Sequence, residues 1–232
     1  MTTMTRDNLQ QILQVKNMTE TSADLYFYGD IVSSWWGAWD DTDQYPEAVK
    51  NFLDGAKGKD LNIYINSGGG SVFAGIAIYN MIKRHQGYKR VYVDGLAASI
   101  ASIIALAGDE TYIPANAYFM IHKPWFTATG NADDLRSHAD VLDTVETGVM
   151  TIYMENAKEG VTEEQMGQML KDETWMTGEE ATQYFNVKVT EEVKAVACVS
   201  DMYKKFKHTP KALVEQKENT EVDRSKDYMF AF

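Results

Sequence analysis

Alternating and periodic apolar positions predict a succession of strands and helices in the first half of the chain. The predicted elements, in chain order, are a strand over 25–32, a helix over 46–53, a strand over 61–65, a helix over 73–82, a strand over 91–93 and a helix over 97–107. Glycine turns separate strand from helix in the last two pairs. Two strand-helix units in succession predict an α/β fold with a mostly parallel sheet and right-handed crossovers.

A long helical period dominates the second half of the chain. Residues 131–156 predict one helix that is longer than a compact layer requires, so we expect it to project from the body and pack on a neighbouring subunit. The other predicted elements are a strand pair over 111–113 and 118–121, helices over 161–170 and 177–184, and a closing segment over 187–189. The expected divisions are an N-terminal segment 1–20, a body 21–200 with its projecting helix at 131–157, and a flexible C-terminal tail 201–232.

Composition supports one sizeable core and narrows the possible partners. Hydrophobic residues make up 44% of the 232 residues, and 22 Lys and Arg against 34 Asp and Glu give a net charge of −12. Nucleic acid is repelled by that charge, and no apolar run is long enough to span a bilayer. The first residues lack the apolar core of a secretory signal, so we expect a cytoplasmic protein. The single cysteine, Cys198, is expected to fill space in the core.

Two glycine-containing loops stand between a predicted strand and a predicted helix. The first, NSGGG at 66–70, can turn its amides toward a developing negative charge because no side chain lies in the way. A phosphate loop is not expected, since no Lys-Ser or Lys-Thr follows the glycines. The second loop, GLAAS at 95–99, places the hydroxyl of Ser99 at the start of a helix. That hydroxyl is either a helix cap or a nucleophile, whereas Ser102 is expected only to pack.

Among the four histidines, His122 has the position that suits a general base. It follows the apolar stretch 118–121, at the edge of the sheet where catalytic side chains of α/β proteins gather. A histidine there can activate Ser99 by taking its proton. Asp172 and Glu173 leave a predicted helix and enter an aromatic turn, so either carboxylate can orient the imidazole. The residues alone leave the choice between them open.

Four sequence blocks resemble, in the same order, the signature blocks of the Clp protease proteolytic subunit family. They are YINSGGG at 64–70, GLAAS at 95–99, MIHKP at 120–124 and WMTGEEA at 175–181. The resemblance covers about residues 25–195. It implies a ClpP/crotonase-like fold of repeated βαβ units and a serine endopeptidase that needs no cofactor or metal. It also implies homo-oligomeric rings around a chamber, with the helix at 131–157 as the handle that interlocks two rings.

The same resemblance implies roles for individual residues. Ser99 matches the nucleophile, His122 matches the general base, and the amides of Gly70 and Ile100 match the oxyanion hole. A gap of a few residues in the alignment brings Asp172 onto the family's acidic position, with Glu173 as the alternative. These residues together imply cleavage of peptide bonds through an acyl-enzyme.

Two departures from the family pattern indicate a subgroup. Gly68 replaces the usual proline, and a tryptophan-rich insert over 33–43 stands where the housekeeping enzyme runs directly into a helix. These features resemble the ClpP-like head maturation proteases of tailed phages and prophages. Their substrates are scaffold or capsid proteins, cleaved in the procapsid or the host cytoplasm without an obligatory ATPase.

Three alternative functions stay open at this point. The chain is a housekeeping subunit that works with an AAA+ unfoldase, a crotonase-fold acyl-CoA hydratase or isomerase, or a scaffold protein without catalytic activity. The hydratase needs paired loop amides but no Ser-His pair, so the position of His122 relative to Ser99 separates it from the peptidase.

Overall fold

The computed structural model describes residues 18–34, 43–191 and 206–210. The strands of this part are β1 Ser22–Phe27, β2 Asp60–Ser67, β3 Lys89–Ala98, β4 Glu110–Pro114, β5 Tyr118–Ile121, β6 Thr174–Thr177 and β7 Lys188–Thr190. Its helices are α1 Pro46–Gly55, α2 Val72–Arg84, α3 Ile100–Ala105, α4 Ala132–Glu155, α5 Glu163–Lys171 and α6 Gly178–Tyr184. The tryptophans at 35–39 and Cys198 lie outside the described residues, so the predictions for them stay predictions.

The described strands form one sheet that is mostly parallel. β1, β2, β3, β4 and β7 lie side by side in this order, each parallel to the next. β5 pairs parallel with β3, and β6 pairs antiparallel with β5. The α/β fold class expected from the sequence is therefore confirmed. Within the described part of the chain, no helix is both long and apolar enough to cross a membrane.

Strand β3 is longer than predicted and has two neighbours in succession. It continues through Gly95 to Ala98, pairing with β4 in its first half and with β5 in its second half. The predicted helix start at Ala97 is wrong, because Ala97 and Ala98 belong to the ladder with β5 and α3 begins only at Ile100. The predicted pairing of β4 with β5 is also wrong, since each of them pairs with β3 instead.

The two faces of the sheet carry different side chains. Leu25, Ile63 and Val91 point into the main hydrophobic core, which they share with Ile78 of α2. The opposite face carries a row of phenol rings, one from each of the first four strands, which we call the tyrosine row: Tyr26, Tyr64, Tyr92 and Tyr112. Consecutive rings are stacked with their centroids 4.8, 5.3 and 5.2 Å apart.

Helix α4 is the long helix that the sequence predicts. The side chain of Asn131 accepts a hydrogen bond from the amide of Asp134, and the Asp134 carboxylate accepts one from the amide of Asn131. This reciprocal cap starts the helix sharply. Near the C-terminal end Tyr153 is buried, whereas Leu135 near the other end is 47% exposed. The helix is therefore anchored in the core at one end and exposed at the other.

Candidate active site

Ser99 lies in the sharp turn between β3 and α3. Its φ of 55° is in the left-handed region, which is strained for a residue with a side chain. Its amide donates a hydrogen bond to the carbonyl of Met120 at 2.9 Å, so the turn is fastened to β5. Its hydroxyl makes no capping hydrogen bond to α3. Of the two interpretations that the sequence allows, the structure therefore disfavours the helix cap.

A buried chain of hydrogen bonds supports this strained turn. The carbonyl of Ser99 accepts hydrogen bonds from the amide of Ser102 at 3.0 Å and from its hydroxyl at 2.6 Å. The same hydroxyl is 2.8 Å from the phenol oxygen of Tyr153 on α4. Burial raises the pKa of Tyr153, so the phenol stays protonated. Ser102 is fully buried as predicted, and it also links α4 to the turn of Ser99.

His122 follows the last residue of β5 and reaches the Ser99 hydroxyl. The distance from His122 Nε2 to Ser99 Oγ is 2.7 Å. The pairing of β3 with β5 explains this short distance, because Ala98 lies opposite Met120 and the two strands end at the same edge of the sheet. Burial lowers the pKa of His122, and the negative charge of Glu173 opposes that shift with a smaller effect. The imidazole is therefore neutral at pH 7 and can accept the hydroxyl proton.

The two acidic candidates are neighbours in sequence but face different groups. The Asp172 backbone continues α5, and its carboxylate accepts a hydrogen bond from Nε2 of Gln168 at 2.8 Å. No hydrogen bond between described residues joins Asp172 to His122. Glu173 turns out of the helix with a φ of 51°, and its carboxylate is the charge that acts on the His122 pKa. In the described part of the chain neither carboxylate makes a hydrogen bond to His122, so the expected Asp172 is not brought to the imidazole, and the charge that acts on the His122 pKa is that of the alternative, Glu173.

The two glycine-containing loops meet beside Ser99. A Cβ added to Gly69 would lie 2.8 Å from the Cβ of Ser99 and 3.3 Å from the amide nitrogen of Ile100. Gly70 has a φ of 144°, and a Cβ there would lie 2.1 Å from the carbonyl oxygen of Ile31. Only glycine fits this backbone at such close range. Among the described residues, the amides of Gly70 and Ile100 donate to no other group, so both can serve an oxyanion.

A short segment from the C-terminal region, residues 206–210, packs against the same site. The ring of Phe206 stands edge-on to the imidazole of His122, with centroids 5.3 Å apart. It makes a similar contact with the indole of Trp175 at 5.7 Å, and it is only 8% exposed. The sequence predicts a flexible tail here and gives no hint of the contact with His122.

The backbone of this segment binds Glu173. The amide of Lys207 donates to one carboxylate oxygen at 3.0 Å, and the amide of His208 donates to the other at 2.7 Å. The available sequence signal was an aromatic residue, Phe206, and a proline, Pro210, within an otherwise charged stretch. Such a pair favours a fixed segment over a solvated one, although it does not say what the segment contacts.

The assembled groups have the chemistry of acyl transfer. A hydroxyl bonded to a neutral imidazole can attack a carbonyl carbon while the imidazole takes its proton. Two amides at the adjacent loops can bind the oxygen that becomes negative. A carboxylate near the imidazole stabilises its positive charge.

Comparison with known proteins leads to one family. Residues 49–189, more than half of the chain, match the family model described as Clp protease. An ATP-dependent Clp protease proteolytic subunit of Bacteroides fragilis is 33% identical over 129 residues, which are 55% of this chain and 61% of that protein. Its counterpart in Porphyromonas gingivalis is 35% identical over 136 residues, or 57% of this chain and 60% of that protein.

A third relative gives a similar result. The ATP-dependent Clp protease proteolytic subunit 1 of Chlamydia abortus is 33% identical over 131 residues, which are 55% of this chain and 67% of that protein. The chain thus spans about three fifths of the length of the Bacteroides and Porphyromonas relatives. The matched region contains Ser99, His122 and both acidic candidates. By its sequence blocks and by the family model, this chain belongs to the Clp protease family.

Proposed function

We propose that this protein is a serine endopeptidase that hydrolyses peptide bonds. The observation that carries the proposal is the 2.7 Å hydrogen bond between Ser99 Oγ and His122 Nε2. A crotonase-type hydratase needs loop amides but has no use for this pair, and a scaffold protein has no use for either. The geometry therefore supports the peptidase over both alternatives.

The reaction proceeds through an acyl-enzyme. Ser99 Oγ attacks the peptide carbonyl carbon while His122 Nε2 takes the hydroxyl proton. The carbonyl oxygen becomes negative and accepts hydrogen bonds from the amides of Gly70 and Ile100. His122 then gives its proton to the leaving amine, and the C–N bond breaks. Water, activated by the same imidazole, attacks the ester and releases Ser99.

Glu173 is the proposed third member of the catalytic triad, after Ser99 and His122. Its charge raises the pKa of His122 against the effect of burial, as expected for a carboxylate that stabilises the imidazolium formed during attack. Asp172, the residue that the gapped alignment favours, is engaged with Gln168 on the exposed side of α5. The proposal therefore gives Glu173 the role that the sequence analysis assigns first to Asp172.

Labelling of the nucleophile tests the activity directly. A fluorophosphonate probe reacts with a serine that an imidazole activates, so the wild-type chain and Ser137→Ala are expected to be labelled and Ser99→Ala is not. Ser137 is a matched control because it is an exposed serine on α4. The wild type and the control should also cleave casein or a fluorogenic peptide. Absence of labelling in the wild type, or cleavage by Ser99→Ala at the wild-type rate, would refute the peptidase.

We infer that the active form is a homo-oligomeric ring, stacked through α4 on a second ring. The exposed part of α4 carries Leu135 and Val141, which are 47% and 48% exposed. Trp125 and Phe126, which precede the helix, are also exposed at 51% and 42%. Apolar side chains of this size in one region are typical of a surface that a second subunit covers. The name "proteolytic subunit" of the relatives agrees with an assembly.

A charge on that surface tests the assembly. Val141→Asp is expected to lower the measured mass of the particle by half or more, since burying a carboxylate between rings is unfavourable. Val189→Asp places the same charge on β7, away from α4, and should leave the mass unchanged. Mass photometry of both variants gives the answer. An unchanged mass for Val141→Asp would remove α4 from the interface.

The proposed biological role is head maturation in a tailed phage or prophage, with scaffold or capsid protein as the substrate. It is supported by Gly68 and the tryptophan-rich insert over 33–43. The relatives' names, which describe ATP-dependent subunits, support cooperation with an AAA+ unfoldase to the same degree. Cleavage of a folded scaffold protein without ATP supports head maturation, and cleavage only with unfoldase and ATP supports turnover. Capsid or unfoldase genes beside this one would point the same way as the corresponding assay.

A further inference from the structure

We propose that residues 206–210, here called the C-terminal strap, are a positioning element of the active site. Phe206 fixes the imidazole of His122, and the amides of Lys207 and His208 fix the carboxylate of Glu173. The inference rests on the proposed function, because it assigns the strap a part in the chemistry of His122. The strap lies outside the region 49–189 that matches the family model.

Phe206 belongs to a small hydrophobic cluster that is separate from the main core. Phe206 packs with Leu96, Ala98 and Met120 at the ends of β3 and β5, apart from the main core. Its ring also meets the imidazole of His122 edge-on at 5.3 Å. Edge-to-face contacts of this kind restrict the orientation of both rings. The strap therefore closes the side of the imidazole and limits its access to water.

The contact with Glu173 is a pair of charge-assisted hydrogen bonds. Lys207 and His208 donate their amides to different oxygens of the carboxylate, at 3.0 and 2.7 Å. Two bonds to two oxygens fix the plane of the carboxylate as well as its position. The ring of His208 also meets the backbone carbonyl of Asp172 at 3.3 Å through Nδ1, which ties the strap to the same turn.

The strap thus supplies what the Glu173 turn lacks by itself. Glu173 has a long side chain whose rotamers must be restricted if the carboxylate is to act on one imidazole. Among the described residues, the only side chain that donates a hydrogen bond to the Glu173 carboxylate is Trp175, whose indole nitrogen lies 3.4 Å from a carboxylate oxygen. The two amides of the strap make shorter hydrogen bonds to the Glu173 carboxylate, and they belong to a backbone segment that Phe206 anchors. One segment therefore holds the base and the acid together.

Substitution of Phe206 tests the first half of the proposal in the full chain. Phe206→Ala is expected to lower kcat on a peptide substrate about tenfold while KM stays nearly constant, because a loosened base loses alignment and not substrate binding. Phe206→Leu keeps an apolar cover and should restore most of the rate. An unchanged kcat, or a kcat that rises because the strap obstructs the site, overturns the proposal.

The pH profile separates positioning from a general loss of stability. The Ser99 hydroxyl lies within hydrogen-bond distance of His122, the ring of Phe206 packs edge-on against it, and the Glu173 carboxylate acts on it through its charge. Burial lowers the pKa of His122. Phe206→Ala admits water, so the pKa of His122 rises toward its ordinary value and the acid limb of kcat/KM moves to higher pH. A variant that is merely less stable keeps the wild-type acid limb, which would overturn the proposal.

Substitution of Lys207 tests the second half. Lys207→Pro removes the amide hydrogen that Glu173 accepts, whereas Lys207→Ala removes only the side chain and keeps that hydrogen. The kcat of Lys207→Pro is expected to fall several-fold below that of Lys207→Ala. Equal values for the two variants would contradict a role for the amide.

A spectroscopic measurement keeps the strap and the proposed function separable. The imidazole of His122 is titrated by NMR in the wild type and in Phe206→Ala, with His122→Asn used to assign its signal. A higher pKa in Phe206→Ala supports the strap whether or not peptides are cleaved, and equal pKa values overturn it. Failure of fluorophosphonate labelling in the wild type overturns the peptidase alone.

Discussion

Ser99 and Glu173 share an unusual backbone but are held in place by different means. They are the two non-glycine residues with positive φ in the described part of the chain. Ser99 is braced from inside the subunit by Ser102 and Tyr153, which are both buried. Glu173 is braced at the surface, by amides of a segment that is more than thirty residues away in sequence.

This difference separates a fixed half of the site from an adjustable half. The support of Ser99 belongs to the core, so it persists as long as the fold does. The support of Glu173 consists of a few exposed hydrogen bonds, which can open without unfolding the rest. The position of the proposed nucleophile, Ser99, is thus set by folding, whereas the alignment of the proposed base and acid depends on a local opening equilibrium.

The largest expected effect tests which acid serves His122. Glu173→Gln is expected to lower kcat by about a hundredfold to ten-thousandfold, because a neutral amide cannot stabilise the imidazolium. Asp172→Asn should change kcat by less than about threefold, since a surface carboxylate bonded to Gln168 contributes little. Steady-state kinetics of the matched pair decide, and a larger loss in Asp172→Asn would return the role to that residue.

The same variant has a characteristic pH dependence. The Glu173 charge raises the pKa of His122, so Glu173→Gln leaves burial unopposed and lowers that pKa further. His122 must be neutral to act as a base. The acid limb of kcat/KM is therefore expected to move to lower pH in the residual activity of Glu173→Gln. A shift to higher pH would mean that the carboxylate does not act on the imidazole through its charge.

A smaller effect tests how tightly the Ser99 side is packed. A Cβ on Gly75 of α2 would lie 2.1 Å from Cγ1 of Ile100, the first residue of α3. Gly75→Ala is expected to lower the free energy of unfolding by about 1–3 kcal/mol through overpacking. Gly148→Ala on α4 has nothing within 4 Å and should raise it by about 0.5–1 kcal/mol. Urea denaturation of both variants measures the difference, and equal effects would indicate a soft contact at Ile100.

The smallest expected effect concerns the buried phenol beneath Ser99. Tyr153→Phe removes the partner of the Ser102 hydroxyl and is expected to cost about 1 kcal/mol of stability, while Ser102 still supports the Ser99 carbonyl. Tyr79→Phe is the matched control, because the Asn156 amide donates only a long hydrogen bond of 3.4 Å to the Tyr79 phenol, and this is the phenol's one hydrogen bond among the described residues. Thermal unfolding compares the two variants. A larger loss in Tyr79→Phe would contradict the bracing of the turn through Tyr153.

The sequence predicted the parts of the molecule in which local pattern and topology agree. Parallel βα units placed the loops of Gly70 and Ser99 at one edge of the sheet, and the structure brings them together there. The end of β3 was missed because Gly95 usually breaks a strand, whereas here the strand continues through Gly95 and changes its partner from β4 to β5. No local pattern reports such a change of neighbour.

The acid and the strap could not be predicted for a different reason. Whether Asp172 or Glu173 faces His122 depends on one left-handed residue at the end of α5, and glutamate has no preference for that conformation. The contact of Phe206 joins segments that are far apart in sequence, and it becomes visible only when the fold is known. Sequence reasoning therefore predicted the kinds of residue in the candidate site, and the structure shows which of them lie close together.

The stacking in the tyrosine row also depends on the register of the first four strands. Each phenol stacks on the next only if all four strands keep their present pairing. A slip of a single residue in any strand would send its ring through to the opposite side, among the aliphatic chains, and put an aliphatic chain in water. A folding intermediate with one shifted strand would therefore be destabilised in two ways, by the buried phenol and by the exposed aliphatic side chain. Both effects favour the native register over shifted ones during folding.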